Sequence, residues 1–289
     1  MLVGSMASRQ ITIQPMSGHL GAEIEGVDLS RPLDEELFEE VHQAFLDHGL
    51  IVLRNQKLSR QAQIDFGRRF GELDVHPIVV GMKEHPEIIE LRKPAGERVS
   101  FGTSWHSDNS FFEEPSKASI LYGVTLPPYG GDTLWASMEK AYDALSPGMQ
   151  KLLDGLSAGH SARRAYDPAV TGTEKYENKA AINYEYSASV YEEVEHPVIR
   201  THPETGRKSI YVNATFTERV VGLSQAESDA ILRFLYEHAT RPEFTCRLRW
   251  EPETVAIWDN RTTQHYALGD YTGFDRLMYR VSVAGDRPF

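Results

Sequence analysis

From Ile88 onwards the chain is written in short runs rich in β-branched and aromatic residues. "IIEL", "ASILYGV", "GDTLW", "PVIRT", "SIYV", "FTCRLRW", "TVAIW" and "LMYRVSVA" follow one another, set off by Gly, Pro, Asp or Asn. Runs this short cover a core only by pairing sideways and turning often, which predicts many short strands. "ITIQP" and "LIVLRNQ" add two more upstream, and "HPETGRK" (His202–Lys208) reads as a hairpin turn.

Helices interrupt this pattern in few places. "DEELFEEVHQAFLDHG" places Leu37, Val41, Ala44 and Phe45 on one helical face and stops at Gly49. A second helix is predicted from Ser59 to about Phe70, ending before Gly71. A third begins near Ser146-Pro147, with proline at the first helical position. A fourth begins at Ser224, where "SQAE" is a capping box, and runs through "AILRFLYEHAT". The prediction is a mainly β protein with flanking helices, a β-sandwich or jelly roll. With no repeat, low-complexity tract or clear linker, residues 6–289 are expected to form a single domain. Met1–Ser5, with its "GSM", reads as a cloning remnant.

Composition excludes several partners. A net charge of −12, from 42 acidic against 30 basic residues, argues against nucleic acid, whose phosphates need a basic face. It leaves room for a small anionic substrate gripped by a local cluster of arginines. No apolar run approaches the roughly 18 residues of a membrane span, and the start lacks the features of a signal peptide. Cys246, the one cysteine, lies in a predicted strand as a buried thiol without a disulfide partner. A cytoplasmic location is the expectation.

In "TSWHSDNSFFEEP" (Thr103 to Pro115) a histidine and an aspartate stand two positions apart. A chain with 11 histidines produces such a pair readily by chance, so a polar turn and half a metal site both remain open. His85 and His202 also stand two before a glutamate, but Pro86 and Pro203 intervene, and both read as turn chemistry. On an extended edge His106 and Asp108 would face the same way. "TVAIWDNRTTQHYALGDY" then offers His265, shortly after a strand ending at Trp258-Asp259-Asn260. Two histidines and a carboxylate on one face of a metal leave positions open, as in non-heme Fe(II) oxygenases. An ordinary loop histidine is the alternative at 265. In "FDRLMYRVSVAG", Arg276 and Arg280 share a strand face with Met278. If that face is buried, each guanidinium costs several kcal/mol unless an anion meets it, and arginine grips carboxylate or sulfonate groups bidentately.

"WHSD", "GGDTLW", "HPVIRTHPETG", "WDNRTTQHYALGDY" and "RLMYRVSVAGDRPF" together resemble the taurine dioxygenase and 2,4-dichlorophenoxyacetate dioxygenase family. The resemblance runs in order from about Ile11 to the C-terminus. It implies a double-stranded β-helix (jelly roll) and an enzyme using Fe(II), 2-oxoglutarate and O2, with dimers or tetramers common among members. Carried over by position, it implies His106, Asp108 and His265 as iron ligands. It implies Thr133 and Arg276 as partners of the distal 2-oxoglutarate carboxylate, and Arg280 near the anionic end of the substrate or framing the cosubstrate pocket. His76 of "GELDVHP", Phe216 and the backbone of Asn109 are implied at the substrate. An aspartate at 108, where halogenating relatives have a small residue, implies hydroxylation.

The chain also departs from the taurine pattern. Val79 stands where those enzymes have a tyrosine, and Gly102 where they have an asparagine. Both changes remove groups that could hold an amine, so a more apolar tail on a carboxylate or sulfo group fits better. "FLYEHATRPEFTCRLRW" and the tyrosine-rich stretch from Asn178 to Pro197 look like the aryloxyalkanoate branch. That stretch, within 165–197, reads as a candidate lid or an ordinary surface loop. The expected reaction is hydroxylation of a carbon next to a heteroatom in an aryloxyalkanoate, alkyl sulfate ester or sulfonate, with breakdown to a carbonyl product, succinate and CO2. The alternatives are a taurine dioxygenase proper releasing sulfite, a zinc hydrolase and a non-catalytic jelly-roll binding module.

Overall fold

The computed structural model describes residues 11–97, 100–172, 184–185 and 187–289. The first half contains β1 (Thr12–Pro15), β2 (Ala22–Glu25), α1 (Glu35–His48), β3 (Leu50–Leu53), α2 (Arg60–Phe70), β4 (Ile89–Lys93), β5 (Ala118–Thr125), β6 (Thr133–Ser137), α3 (Met138–Asp143) and α4 (Pro147–Leu153). There follow β7 (Ser157–Ser161), α5 (Arg163–Tyr166), α6 (Pro168–Thr171), β8 (Glu193–Pro197), β9 (Ile199–Thr201), β10 (Lys208–Ile210) and β11 (Thr217–Val220). The chain closes with α7 (Gln225–Ala239), β12 (Thr245–Leu248), β13 (Val255–Asp259), β14 (Thr263–Ala267) and β15 (Arg276–Val283).

Seven strands form one sheet in the order β1-β2-β3-β13-β5-β15-β4, antiparallel except where β2 meets β3. Successive side chains on a strand point to opposite faces, so a strand buried on both sides must be apolar throughout. β3 throughout and β13 as far as Trp258 meet that demand. Ile51, Leu53, Val255 and Ile257 pack with Ile120 and Tyr122 against Phe38 and Phe45 of α1 and Phe66 and Phe70 of α2. The intervening Leu50, Val52, Leu121, Ala256, Trp258 and Met278 face the other way and meet Trp135, Cys246 and Leu248. These last three belong to a facing three-stranded sheet, β12-β6-β14. The sheets β11-β7-β8 and β10-β9 complete the β framework, and α7 packs with them through Leu232 and Leu235. This is the expected jelly roll with helices outside. Cys246 is the expected buried thiol, its pKa pushed up to about 12 by burial.

Local chemistry sets the helix ends. Asp34 accepts a hydrogen bond from the Leu37 N–H at 2.9 Å, and Ser59 does the same for Ala62 at 3.1 Å. Ser224 and Glu227 form the expected capping box. Gly49 ends α1 with φ 65°, and an added Cβ there would lie 3.2 Å from Thr263 Cγ2.

Five strands escape the sequence pattern: β2, β7 ("SAGHS"), β8 ("EVEHP"), β11 ("TERV") and β14 ("TQHYA"). β2 ("AEIE") does alternate, but over only four residues, whereas β7 and β14 carry small or polar residues that their neighbours bury. The "PVIRT" run is broken at Val198, with β8 ending before it and β9 starting after it. The stretch His202–Lys208 does connect a hairpin, β9 to β10. Met1–Ser5 lies outside the described residues, as do 173–183 and 186 of the candidate lid. Among the described residues no helix is long and apolar enough to cross a membrane.

Phe45 is fully buried between α1 and the large sheet. Phe45→Ala is expected to lower unfolding free energy by about 3–5 kcal/mol, read as a fall in the urea midpoint with an unchanged slope.

Candidate metal and cosubstrate site

The inner faces of the two sheets carry the polar residues of interest. His265 on β14 lies opposite Trp135 of β6, and Ala267 opposite Thr133, so His265 and Thr133 share the face that Trp135 turns to the large sheet. A segment outside any named strand adds to this edge. His106 N donates to His265 O at 3.1 Å and His265 N donates to His106 O at 2.8 Å. That isolated bridge fixes His106 beside His265, while Asp108 opens a turn rather than continuing the expected extended edge.

One donor atom from each of His106, Asp108 and His265 lies within 4.8 Å of the others. Asp108 Oδ1 is 3.7 Å from His106 Nε2 and 3.8 Å from His265 Nε2. Donors bonded at about 2 Å to one ion would need these atoms to close by roughly 1 Å, within reach of small side-chain rotations. The donor set fits a divalent metal for a further reason. His106 Nδ1 lies 2.8 Å from the Ser104 carbonyl, so it carries the proton and leaves the Nε2 lone pair facing Asp108. His265 is wedged beside Trp258, with ring centroids 4.8 Å apart.

Electrostatics prepare the same state. Burial pushes the His265 imidazole down to about 3, helped by the neighbouring His106, and burial also lowers His106. Both rings are therefore neutral near pH 7, as ligation requires. Burial works against an ionised Asp108, but the Arg280 guanidinium, aided by the Ser119 hydrogen bond, outweighs it and holds the carboxyl well below its ordinary range. Arg280 donates to Asp108 Oδ1 at 3.1 Å, and Ser119 Oγ donates to Oδ2 at 2.7 Å.

Asn260 organises the support. Its Oδ1 accepts from Asp108 N at 3.3 Å and from Trp258 Nε1 at 2.9 Å, and its Nδ2 donates to Ser119 Oγ at 3.1 Å. The turn carrying Asn260 is clamped from behind. Arg261 makes two hydrogen bonds to the Asp259 carboxylate, at 2.8 and 2.7 Å, and also pairs with Glu204. His202 reaches Asp259 Oδ2 at 3.0 Å. His202 is the expected turn residue, since its Nδ1 accepts from the N–H groups of Glu204 and Thr205. It is also a buried member of this ion network, which its sequence context did not show. His85 lies in a turn through Met82 and Ile88.

A cavity of about 420 Å³ opens over the cluster. Its wall includes His106, Asp108, His265, Thr133, Arg276, Arg280, Asn109, Phe216 and Val79. His76 stands behind that wall. It is buried, its Nδ1 accepts from Ile78 N and Val79 N, and its ring packs against Phe111, Phe112 and Tyr166. Asn109 adopts the left-handed region at φ 56°. Of the candidate lid, Ala165, Tyr166, Thr171 and Tyr184 face the cavity. The Nε atoms of Arg276 and Arg280 and His265 Nδ1 are buried without a hydrogen-bond partner among the described residues. Arg280 is paired with Asp108 through one nitrogen only, and Arg276 meets the Gly131 carbonyl at 3.5 Å, so each keeps a buried Nε for an anion, which fits a dicarboxylate cosubstrate and an anionic substrate. Ser119 and Asn260 went unnoticed in the sequence because no motif marks a residue that holds a ligand rather than being one.

The model of a family described as taurine catabolism dioxygenase TauD, TfdA family matches residues 12–282. An alpha-ketoglutarate-dependent sulfate ester dioxygenase of Pseudomonas putida is 39% identical over 287 residues, covering 96% of this chain and 91% of that protein. An alkylsulfatase of Acinetobacter baylyi is 37% identical over 280 residues, covering 96% and 86%. The crystal structure of a taurine dioxygenase from Burkholderia xenovorans superposes with a TM-score of 0.81 at 37% identity, covering 96% of this chain and 92% of that one.

Ser119→Ala is expected to weaken Mn(II) binding by roughly 10- to 100-fold, the usual cost of losing a ligand's hydrogen-bond partner, with little change in Tm. Titration calorimetry of the metal-free protein checks this.

Proposed function

Because the chain belongs to the taurine catabolism dioxygenase TauD, TfdA family, we propose that it uses Fe(II), 2-oxoglutarate and O2 to hydroxylate an alkyl sulfate ester at the carbon bearing the ester oxygen. The observation that carries this reading is the gathering in one cavity of a His-Asp-His cluster and two arginines of a single strand. The preference for sulfate esters draws on the sulfate ester dioxygenase and alkylsulfatase relatives and on the cavity wall. Val79, Leu91, Phe101 and Phe216 line it, and neither Val79 nor Gly102 can hydrogen-bond an amine through its side chain. An apolar tail gains from such a wall at about 25 cal/mol per Å² buried, whereas a small zwitterion would leave its ammonium unpaired.

His106, Asp108 and His265 would hold the iron, and Thr133 with Arg276 would seat the far carboxylate of 2-oxoglutarate. When bound there, iron and 2-oxoglutarate would activate O2, which is the oxidant: one of its oxygen atoms would leave in succinate, formed with CO2, and the other would become the hydroxyl group on the substrate carbon. Thr133 is already oriented, since its Oγ1 accepts from Trp250 Nε1 at 2.9 Å and its own proton is free to point into the cavity. Arg280 devotes one nitrogen to Asp108 and keeps its Nε for an anion. It would thus fix the sulfate group close to the metal and bring the first tail carbon near the reacting centre. Asp108 would keep a carboxylate on the metal, which favours hydroxylation. The hydroxylated ester then collapses to an aldehyde and sulfate. Residues 12–282, matched throughout by the family model, would act as one catalytic domain.

Without air, Fe(II) with 2-oxoglutarate is expected to give a weak visible charge-transfer band, and a flat spectrum from folded, metal-loaded protein would overturn the reading. Arg276→Ala should raise the 2-oxoglutarate requirement about 100-fold, the cost of a lost charged double hydrogen bond, and the alkyl sulfate requirement far less. Across a panel of alkyl sulfates, taurine and aryloxyacetates, succinate formation should be fastest with the sulfates; faster turnover of taurine would reassign the substrate.

A further inference from the structure

Resting on the cosubstrate reading above and deepening it, we propose that Lys93 is a further cosubstrate-binding residue, donating to the distal carboxylate of 2-oxoglutarate beside Arg276. Lys93 is the last residue of β4 and pairs directly with Arg276 of β15 in antiparallel register, so the two side chains leave the sheet on the same face. The residue is 3% exposed, lines the cavity, and its Nζ has no hydrogen-bond partner among the described residues. The ammonium sits over the Tyr271 ring at 4.5 Å, and the Arg276 guanidinium leans on the same ring at 5.8 Å. A ring face returns only part of what a desolvated ammonium loses. Two cations therefore share one end of the cavity, and neither meets a carboxylate among the described residues.

A carboxylate has two oxygens and about four acceptor positions, enough for Thr133, Arg276 and Lys93 together. The register also says which anion this is. Lys93 lies across from Arg276, while Arg280, the partner of Asp108, is four residues further along β15. At about 3.3 Å per residue, that places the Lys93 backbone roughly 13 Å of strand away from that of Arg280. A group bound to the metal through one end and extending to Thr133 and Arg276 brings its far carboxylate to Lys93, whereas the sulfate of the substrate stays beside Arg280. The consequence is selectivity: a 2-oxo acid lacking the distal carboxylate would leave two buried cations unpaired.

The test compares binding of 2-oxoglutarate and of 2-oxovalerate, its analogue without the second carboxylate, to Mn(II)-loaded protein by calorimetry. Lys93→Met should weaken 2-oxoglutarate binding roughly 10- to 100-fold, the cost of one charge-assisted hydrogen bond in a buried site. It should leave 2-oxovalerate binding within about 3-fold, because that acid never made the contact. Lys93→Arg should recover part of the 2-oxoglutarate affinity, and Lys93→Gln serves as the neutral variant should the methionine protein fail to fold. Unchanged 2-oxoglutarate affinity in the variant, or equal losses for both acids, would overturn the assignment. Absence of 2-oxoglutarate binding to the unsubstituted Mn(II)-loaded protein would instead sink the cosubstrate reading on which it rests.

Discussion

The Asp108 carboxylate is buried between two sheets and held ionised, and much of the molecule is arranged around keeping it so. A lone charge at that depth would cost several kcal/mol. Here it is met by a guanidinium from β15, a hydroxyl from β5 and a backbone contact to the side chain of Asn260. Each partner comes from a different part of the chain. The large sheet supplies Ser119 and Arg280 because those positions of β5 and β15 face inwards, alongside Leu121 and Met278. The β13–β14 turn supplies Asn260 because Arg261 and His202 hold Asp259 in place behind it.

Polarity is divided along the cavity in a way that suits its proposed occupants. Arg276 and Arg280 stand on β15, Lys93 on β4 and the Thr133 hydroxyl on β6, whereas Phe101 and Phe216 sit on loops, with Tyr166 and Tyr184 contributed by the region of the candidate lid. Charged groups on strands are fixed by ladder hydrogen bonds and hold a small ligand in one geometry, as a reacting centre demands. Loop residues adapt, so variation in tail shape falls where the backbone is least constrained.

Much of the architecture was legible because the strands that build the two-sided core are apolar enough to declare themselves. β3, β5, β13 and β15 read directly from their β-branched runs, and α1, α2 and α7 from caps and amphipathic spacing. β7, β11 and β14 did not, since "SAGHS", "TERV" and "TQHYA" are buried by neighbours rather than by their own composition. Spacing brought His106 and Asp108 together but left His265 open, and only the family resemblance joined the three. Lys93 gave no signal at all. A lysine after "IIELR" looks like a solvated strand end, and what makes it unusual is its register with Arg276 and its position over Tyr271.

The position of β15 bears on how the molecule is made. Although late in the chain, it slots between β5 and β4 rather than on a free edge, and it carries both arginines of the cavity. A ribosome delivers His106 and Asp108 long before either guanidinium, so the nascent carboxylate waits without its counter-charge while that berth in the sheet stands vacant. Contacts of such long sequence separation form slowly, which makes insertion of this strand the step at which the pocket acquires its charge.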